Sequence, residues 1–531
     1  MCASKRRNPD LNYTTMKKIL QHIYVSGAIV LFMVASCSKD IQNRTDDLSS
    51  LNPSKLDANA GTWKPVLLTG PAEFTVAAPI AVSSPDYRLQ INEVKALQAN
   101  MTEADKKLVE YWSAGAVLRW NEIMRELVAK HNLPPFQNAD GTYPFPDANN
   151  PLAYPMFPFA NPPYAARAYA YASAAQYDAL VAGYYYKDQY KRVAPYVVDT
   201  TLKVTVAKNS LPAYPSEDGV VAGAALEMLS LLFPGDQDYI RQRVEEHKKA
   251  RLLTGANVRS DIEAGETLGK TVARKFITRA RADRAGAAIG TPTIWKKFET
   301  DAIAKGEVPW YSLETPARPP MLPLFGKVRS LLLDSLTLVS LRPGPPPSTS
   351  SPKMREETEE VYQMVKNASR KDMAIVHFWA DGAGTYTPPG HWNAIAADDF
   401  IKESYSEVRW ARNMALLNIA LMDAAIVCWD TKYYYFNPRP SQLDPKIKSS
   451  TGVPNFPAYI SGHSTFSGAA AAVLGHILPS RAQAYADMAK EASVSRMLGA
   501  LHYRSDCEVG LVVGNNVGGY AIQRARTDGA E

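Results

Sequence analysis

Lys432 with Arg439, Ser461-Gly462-His463, and Arg496 with His502 are three groups whose residue types suit one task, the binding of a tetrahedral oxyanion. Arginine offers an oxyanion a planar fork and lysine a compact charge. Lys432 and Arg439 are seven residues apart, and two helical turns bring such a pair back to nearly one face, so both cations are expected to reach one anion near a helix end. Pro438 and Pro440 bracket Arg439 and stop the helix there. Alone, a Lys/Arg pair at this spacing is usually a solvated face. Ser461-Gly462-His463 leads straight into an apolar helical stretch, Thr465 to Ile477. Glycine lets the backbone approach an anion, the helix N-terminus aims amides and partial positive charge at it, and serine adds a hydroxyl donor. A histidine placed there can move a proton onto or off a bound oxygen, although His463 alone could equally be a satisfied core residue. Arg496 supplies a third cation. Asp506, four residues after His502, can accept a hydrogen bond from one ring nitrogen and leave the other aimed at the anion's central atom. His377 and His476 have no such neighbours and read as ordinary structural histidines.

These residues must be positioned by helices. Period-two alternation is scarce, whereas Tyr164 to Tyr186, Gly219 to Leu232, Asp261 to Arg281, Ser404 to Tyr433 and Thr465 to Ile477 carry helical patterns, many alanine-rich and apolar on more than one face. Such helices belong inside a bundle. The breaks are Pro-rich: Leu133 to Pro163, Val308 to Pro323, and Arg342 to Ser348, the last with the look of a linker or long surface loop. A gapless internal repeat runs through the pattern. Pro212-Ala213-Tyr214-Pro215-Ser216 parallels Pro457-Ala458-Tyr459-Ile460-Ser461, 245 residues later. The same register pairs Arg167 with Arg412, Asp178 with Asp423, Lys187 with Lys432, Arg251 with Arg496, Asp261 with Asp506 and Gly265 with Gly510. The chain therefore reads as all-α, two related helical bundles packed together by internal duplication, approximately residues 160 to 285 and 405 to 530. The copies differ where chemistry would sit: His463 is matched by Asp218, Gly462 by Glu217, Arg439 by Ala194 and His502 by Asn257. Asp506 has a counterpart in Asp261, so a structural role for it is at least as well supported as a functional one.

At 531 residues, 46% hydrophobic and 21% charged, the composition is that of a globular chain with room for more than one core. A net charge of +6, not gathered into a basic tract, gives nucleic acid little claim on it. Four cysteines exclude a disulfide scaffold and form no CxxC pair for zinc. Cys428 and Cys507 read as buried packing, with a bridge between them the alternative. Cys37 differs: Met16-Lys17-Lys18 opens a basic region, Ile19 to Val34 is apolar, and Val34-Ala35-Ser36-Cys37 fits a bacterial lipobox, with Met16 as the initiator. This predicts an exported lipoprotein of the periplasm, outer membrane or cell surface, touching the membrane only through a lipid at Cys37. No later run reads as long and apolar enough to span a bilayer.

Together, Lys-x6-Arg-Pro, Ser-Gly-His and Ser-Arg-x5-His-x3-Asp, in this order, resemble the vanadium-dependent haloperoxidase and PAP2 (type 2 phosphatidic acid phosphatase) superfamily. Phe378-Trp379-Ala380-Asp381-Gly382 and Thr387-Pro388-Pro389-Gly390-His391-Trp392-Asn393 are similar to the segment before the site in soluble bacterial members, so the likeness covers most of residues 160 to 530. It implies a vanadate or phosphate held by Lys432, Arg439, Ser461, Gly462 and Arg496. His502 would then be the axial vanadium ligand, or the nucleophile that takes up a phosphoryl group, and His463 the acid/base residue, with Lys432 polarising the oxidant. Two positions depart from the pattern. Ile460 stands where many members have proline, and only an extended residue is expected to be needed there; Asn437-Pro438 precedes Arg439 where fungal haloperoxidases carry bulky aromatics. The expected organisation is a signal peptide with lipobox (1–37), a polar tether (38–70), an N-terminal half without a working site (71–340), a linker and pre-site segment (341–404) and a C-terminal bundle carrying the site (405–531). The first functional reading is halide oxidation by hydrogen peroxide at vanadate. The second is an acid phosphatase needing no cofactor, acting on phosphomonoesters through a phosphohistidine. A third class, an oxyanion-binding protein without turnover, leaves His463 unexplained, because binding alone needs no proton shuttle.

Overall fold

A computed structural model describes residues 48–133, 161–314 and 317–531, and every regular element among them is a helix. The leader, Cys37, tether residues 38–47 and most of the Pro-rich break after Leu133 lie outside the described residues. Two helices of 29 residues, Pro162–Tyr190 and Glu407–Tyr435, form the centre and pack on each other. Each starts on a capping side chain, Asn161 accepting from the Tyr164 amide and Ser406 from that of Arg409, which satisfies one of the orphan N–H groups of the first turn. Each ends on a residue in the left-handed region, Lys191 (φ 47°) and Phe436 (φ 54°). Between those ends nearly every side chain is buried, as their alanine-rich, all-round apolar sequences require.

The remaining helices repeat on both sides. Glu217–Leu232, Gln237–Leu253 and Arg259–Arg281 follow the first long helix; Gly462–Ile477, Ala482–Leu498 and Arg504–Ala525 follow the second, with every start 245 residues on. Glycines set the closest packing in both groups. A Cβ at Gly223 would stand 2.2 Å from the Glu266 carbonyl and one at Gly269 2.1 Å from that of Val220; at Gly468 and Gly514 it would meet the carbonyls of Leu511 and Thr465 at 2.4 and 2.1 Å. Only a missing side chain lets these backbones meet. The buried ion pairs also correspond: Arg167 Nε donates to Asp283 at 2.7 Å and its Nη2 to the Ala280 carbonyl at 2.8 Å, while Arg412 donates to Asp528 at 2.7 Å and to the Ala525 carbonyl at 2.9 Å.

Three expectations are corrected. Residues 49–70 do not run free as part of a tether: Trp63 is buried, Arg409 grips Asp57, and Asp178 accepts from the amides of Val66, Leu67 and Leu68. Residues 341–404 are more than a linker. They contain the helices Pro352–Lys366, Arg370–Phe378 and Thr387–Phe400, and Arg342 is tied to Asp430 at 2.6 Å and lies over the Tyr434 ring. Finally, the Glu407–Tyr435 helix is long and apolar enough to cross a membrane by length and composition, but 94% of its most apolar stretch is buried inside the protein.

Asp528 has Arg412 as its buried partner, so Asp528→Ala strands a guanidinium in the core. Equilibrium denaturation should register a loss of about 3–5 kcal/mol, and a loss near that of an ordinary surface substitution would show that the pair does not close the bundle.

Candidate functional site

The site forms where three segments of the C-terminal half converge. Lys432 lies in the last turn of the Glu407–Tyr435 helix, fully buried, and its Nζ donates to the carbonyls of Pro457 (2.8 Å) and Ala458 (2.9 Å). Burial pushes its ammonium down to about 7. Phe436 then turns the chain out of the helix, so Arg439 does not share a helix face with Lys432 as the seven-residue spacing suggests. It returns from beyond the turn, at the cap of the short helix Pro440–Leu443. Its guanidinium is fixed on all sides: Nε and Nη2 donate to the Phe456 carbonyl (3.0 and 2.9 Å), and Nη1 donates to that of Leu501 (2.8 Å) and faces His502 Nε2 at 3.0 Å.

Ser461 is the N-cap of the Gly462–Ile477 helix, its Oγ accepting from the Ser464 amide at 3.4 Å. The Tyr459–Ile460 peptide before it is cis, as is Tyr214–Pro215 in the first half. A Cβ on Gly462 would meet only Trp429 and Phe466, at 3.8 and 3.9 Å. Protein packing therefore leaves room for a side chain there, and glycine keeps the adjoining cavity wall open. His463 follows in the first turn. Its Nε2 is buried without a hydrogen-bond partner, 3.9 Å from Asp381 Oδ2.

Arg496 ends the Ala482–Leu498 helix and donates from Nη1 to the Trp379 carbonyl at 3.0 Å, while its buried Nε has no partner. His502 Nδ1 lies 2.9 Å from Asp506 Oδ2. The carboxylate accepts, so Nδ1 carries the proton and Nε2 presents its lone pair. Asp506 also accepts from the Tyr503 amide at 3.1 Å, as Asp261 does from Val258 at 3.0 Å in the first half. Its capping role is thus common to both halves, and orienting a histidine is added only in the second. Burial pushes Arg439 and Arg496 each down to about 10. Burial, then the neighbouring cations, hold both His502 and His463 well below the usual imidazole range, so both rings are neutral near pH 7.

A cavity of about 290 Å³ opens onto Asp381, Phe456, Gly462, His463, Arg496 and His502. Lys432, Arg439 and Ser461 are fully buried and do not line it. Asp381 and His391 were given no role by motif reasoning, yet they belong to this place. Asp381 holds a positive φ of 45° and its carboxylate lies 3.1 Å from His391 Nδ1, whose ring stacks on Trp379 at 4.6 Å. No sequence spacing links residue 381 to residue 463; only the fold does. Cys428 and Cys507 are buried and unbridged.

The residues present fit a tetrahedral oxyanion. Lys432, Arg439 and Arg496 are buried beside His502, and two buried nitrogens, Arg496 Nε and His463 Nε2, have no hydrogen-bond partner among the described residues. Comparison with known proteins agrees with this architecture. No curated protein is matched by the sequence. A bacterial vanadium-dependent iodoperoxidase of known structure superposes with a TM-score of 0.58 at 23% identity, over 77% of this chain and 96% of that one. A bacterial vanadium-dependent chloroperoxidase in its holo form follows at a TM-score of 0.48 and 13% identity, over 72% and 96%. Residues 413–528, which carry Lys432 through Asp506, match the PAP2 superfamily, and the described residues share the all-helical fold of the bacterial vanadium-dependent iodoperoxidase.

Proposed function

We propose that this chain is a vanadate-dependent haloperoxidase-like enzyme that oxidises halide with hydrogen peroxide. The observation that carries the reading is the buried cluster of Lys432, Arg439 and Arg496 beside His502, with His463, whose Nε2 neither accepts nor donates a hydrogen bond among the described residues, on the same cavity. In this reading Lys432, Arg439, Ser461, the Gly462 backbone and Arg496 would hold the oxyanion, and His502 would bind it through Nε2. Bound vanadate would supply Lewis-acid activation of the peroxide. The protein's own share is charge and proton handling. Asp506 fixes the His502 tautomer; the cations neutralise oxyanion charge in a site shut off from bulk water; and His463, neutral and facing the cavity, takes or gives the proton. A second reading, a phosphatase working through a phosphohistidine, is favoured by the same Asp506–His502 dyad, since a histidine whose Nδ1 proton is held by a carboxylate keeps an unprotonated Nε2 that can act as a nucleophile.

Two further parts of the reading concern the whole chain. We infer that residues 160–285 and 405–530 are an internal duplication, supported by the helix starts, glycine contacts and Arg–Asp pairs that correspond at 245 residues. The chain would be exported and anchored at Cys37. Cys37→Ala should then release it from the membrane fraction; a wild-type protein recovered without lipid and wholly soluble refutes the anchor.

Apo-protein loaded with vanadate should oxidise iodide or bromide with peroxide, with phosphate competing for loading. Hydrolysis of phosphomonoesters by vanadate-free protein, with no halide oxidation under any loading, selects the phosphatase instead. His463→Ala should lower turnover by about 10²–10⁴-fold with a much smaller change in vanadate affinity. His502→Ala should abolish oxyanion binding, and Asn257→Ala, its counterpart, should leave it intact; equal losses would place a working site in the first half as well.

Anion binding should depend on pH through Lys432. Its protonated form is the one an anion favours, and in the free chain that form is lost as pH rises through about 7. Binding therefore takes up a proton, and affinity falls above pH 7 by up to about tenfold per unit. Titration calorimetry with sulfate, whose own charge is constant in this range, in buffers of different ionisation enthalpy reads both effects; proton release on binding would refute the assignment.

A further inference from the structure

The first half holds a pocket at the place that corresponds to the candidate site, and its charges are arranged differently. Lys187 Nζ donates to the Pro212 carbonyl, as Lys432 does to Pro457, and both residues are buried in the last turn of a 29-residue helix. Ser216 caps the Glu217–Leu232 helix as Ser461 caps its counterpart. Arg251 occupies the place of Arg496. Two of the cations and the helix N-terminus of an oxyanion site are therefore present; the third, Arg439, is Ala194.

The two residues that open the helix supply negative charge from within. Glu217 and Asp218 stand where the second half has Gly462 and His463. Asp218 Oδ2 lies 3.1 Å from Arg251 Nε as an ion pair, and its Oδ1 lies 3.2 Å from His247 Nε2. Glu217 accepts from the Tyr184 hydroxyl at 2.6 Å and lies 3.6 Å from Lys187 Nζ. Asn257 takes the place of His502 and completes the closure: Oδ1 accepts from Arg251 Nε at 2.6 Å, and Nδ2 donates to the Ala213 carbonyl at 2.7 Å. The contrast lies in the arginines. Arg251 Nε donates to Asn257 Oδ1 and is ion-paired with Asp218, whereas Arg496 Nε has no hydrogen-bond partner among the described residues. The cavity is smaller to match, about 90 Å³ against about 290 Å³. Burial works against the Asp218 carboxylate, but Arg251 and His247 hold it down to about 2, so it stays ionised throughout the physiological range.

We propose that the first-half pocket is an oxyanion site closed by the chain itself, the carboxylates of Asp218 and Glu217 taking the place that a tetrahedral oxyanion of the phosphate type would otherwise fill. The inference rests on the duplication reading and is independent of which reaction the second site runs. Asp218 and Glu217 balance Lys187 and Arg251, and Glu407, the third carboxylate lining the pocket, is pushed up to about 8 by burial and by Asp218, so the pocket offers no net positive charge to a free anion and the protein binds one oxyanion per chain. The same pairs fasten the Glu217–Leu232 helix to the Pro162–Tyr190 and Gln237–Leu253 helices, which gives the silent half a structural reason to keep its buried cations.

Neutralising both carboxylates in Glu217→Gln/Asp218→Asn leaves Glu407 as the one carboxylate lining the pocket with Lys187 and Arg251, which then carry an excess of positive charge. This variant should melt below wild type, should be stabilised by inorganic phosphate more than wild type is, and should bind one more phosphate per chain by titration calorimetry than wild type does. Adding Lys187→Met should abolish the extra site. If the double variant does not fold, Glu217→Gly alone, with the residue found at 462, should still create a phosphate site that Lys187→Met removes. A folded variant that takes up no additional phosphate overturns the proposal. The comparison separates this failure from failure of the proposed function: a second site that binds nothing shifts the counts from one and two to none and one, and leaves their difference unchanged.

Discussion

Positive charge buried in a helical core is the constraint on which the rest of this structure depends. Lys432, Arg439 and Arg496 are removed from water, and an uncompensated buried cation is expensive. The chain meets part of that demand with carbonyl oxygens of Trp379, Phe456, Pro457, Ala458 and Leu501, all in segments that are not helical at those residues or end there. Carbonyls inside a helix are already committed to its own ladder, so a cationic pocket has to be built where helices stop. The left-handed turn at Phe436 and the irregular run 444–461 therefore serve the site directly, as its source of acceptors.

The rigid part of the molecule makes that irregularity tolerable. Glycine-mediated contacts and buried Arg–Asp pairs lock each bundle, and the two long central helices lock the bundles to one another. A loop carrying acceptors is held to hydrogen-bond precision only if both of its ends are fixed. Here one end is the 407–435 helix and the other the capped start of the 462–477 helix, each buried.

Much of this was legible in the sequence, for identifiable reasons. The all-round apolar, alanine-rich runs mark the central helices, whose only stable place is inside a bundle, and observed limits lie within about four residues of the periodic patterns at each end. The gapless 245-residue register separated Asp506, shared by both halves, from His502, present in one. What periodicity could not supply was the path of the chain where it is not periodic. Lys432 and Arg439 meet by a turn and not by a shared helix face, and the polar stretch before residue 70 is docked because Asp57 and Asp178 find partners that composition does not name. Asp381 and His391 were visible only as part of a likeness, since a contact across 82 residues has no local signature.

The electrostatics also tie proton handling to anion binding. His463 and His502 are neutral because they are buried and because Arg496, Arg439 and Lys432 stand beside them. An oxyanion in the same place contributes charge of the opposite sign at shorter range, so the terms that depress both imidazoles and Lys432 weaken together and their proton affinities rise. In the proposed function His463 would thus be a poor base in the free chain and would carry a proton only once the pocket holds an anion. At the corresponding place the first half has Asp218, a permanent anion with a permanent partner in Arg251, which fixes the charge and leaves nothing to exchange. The capacity for acid/base work follows from leaving the negative charge to a ligand, and the two halves differ in that choice more than in their fold.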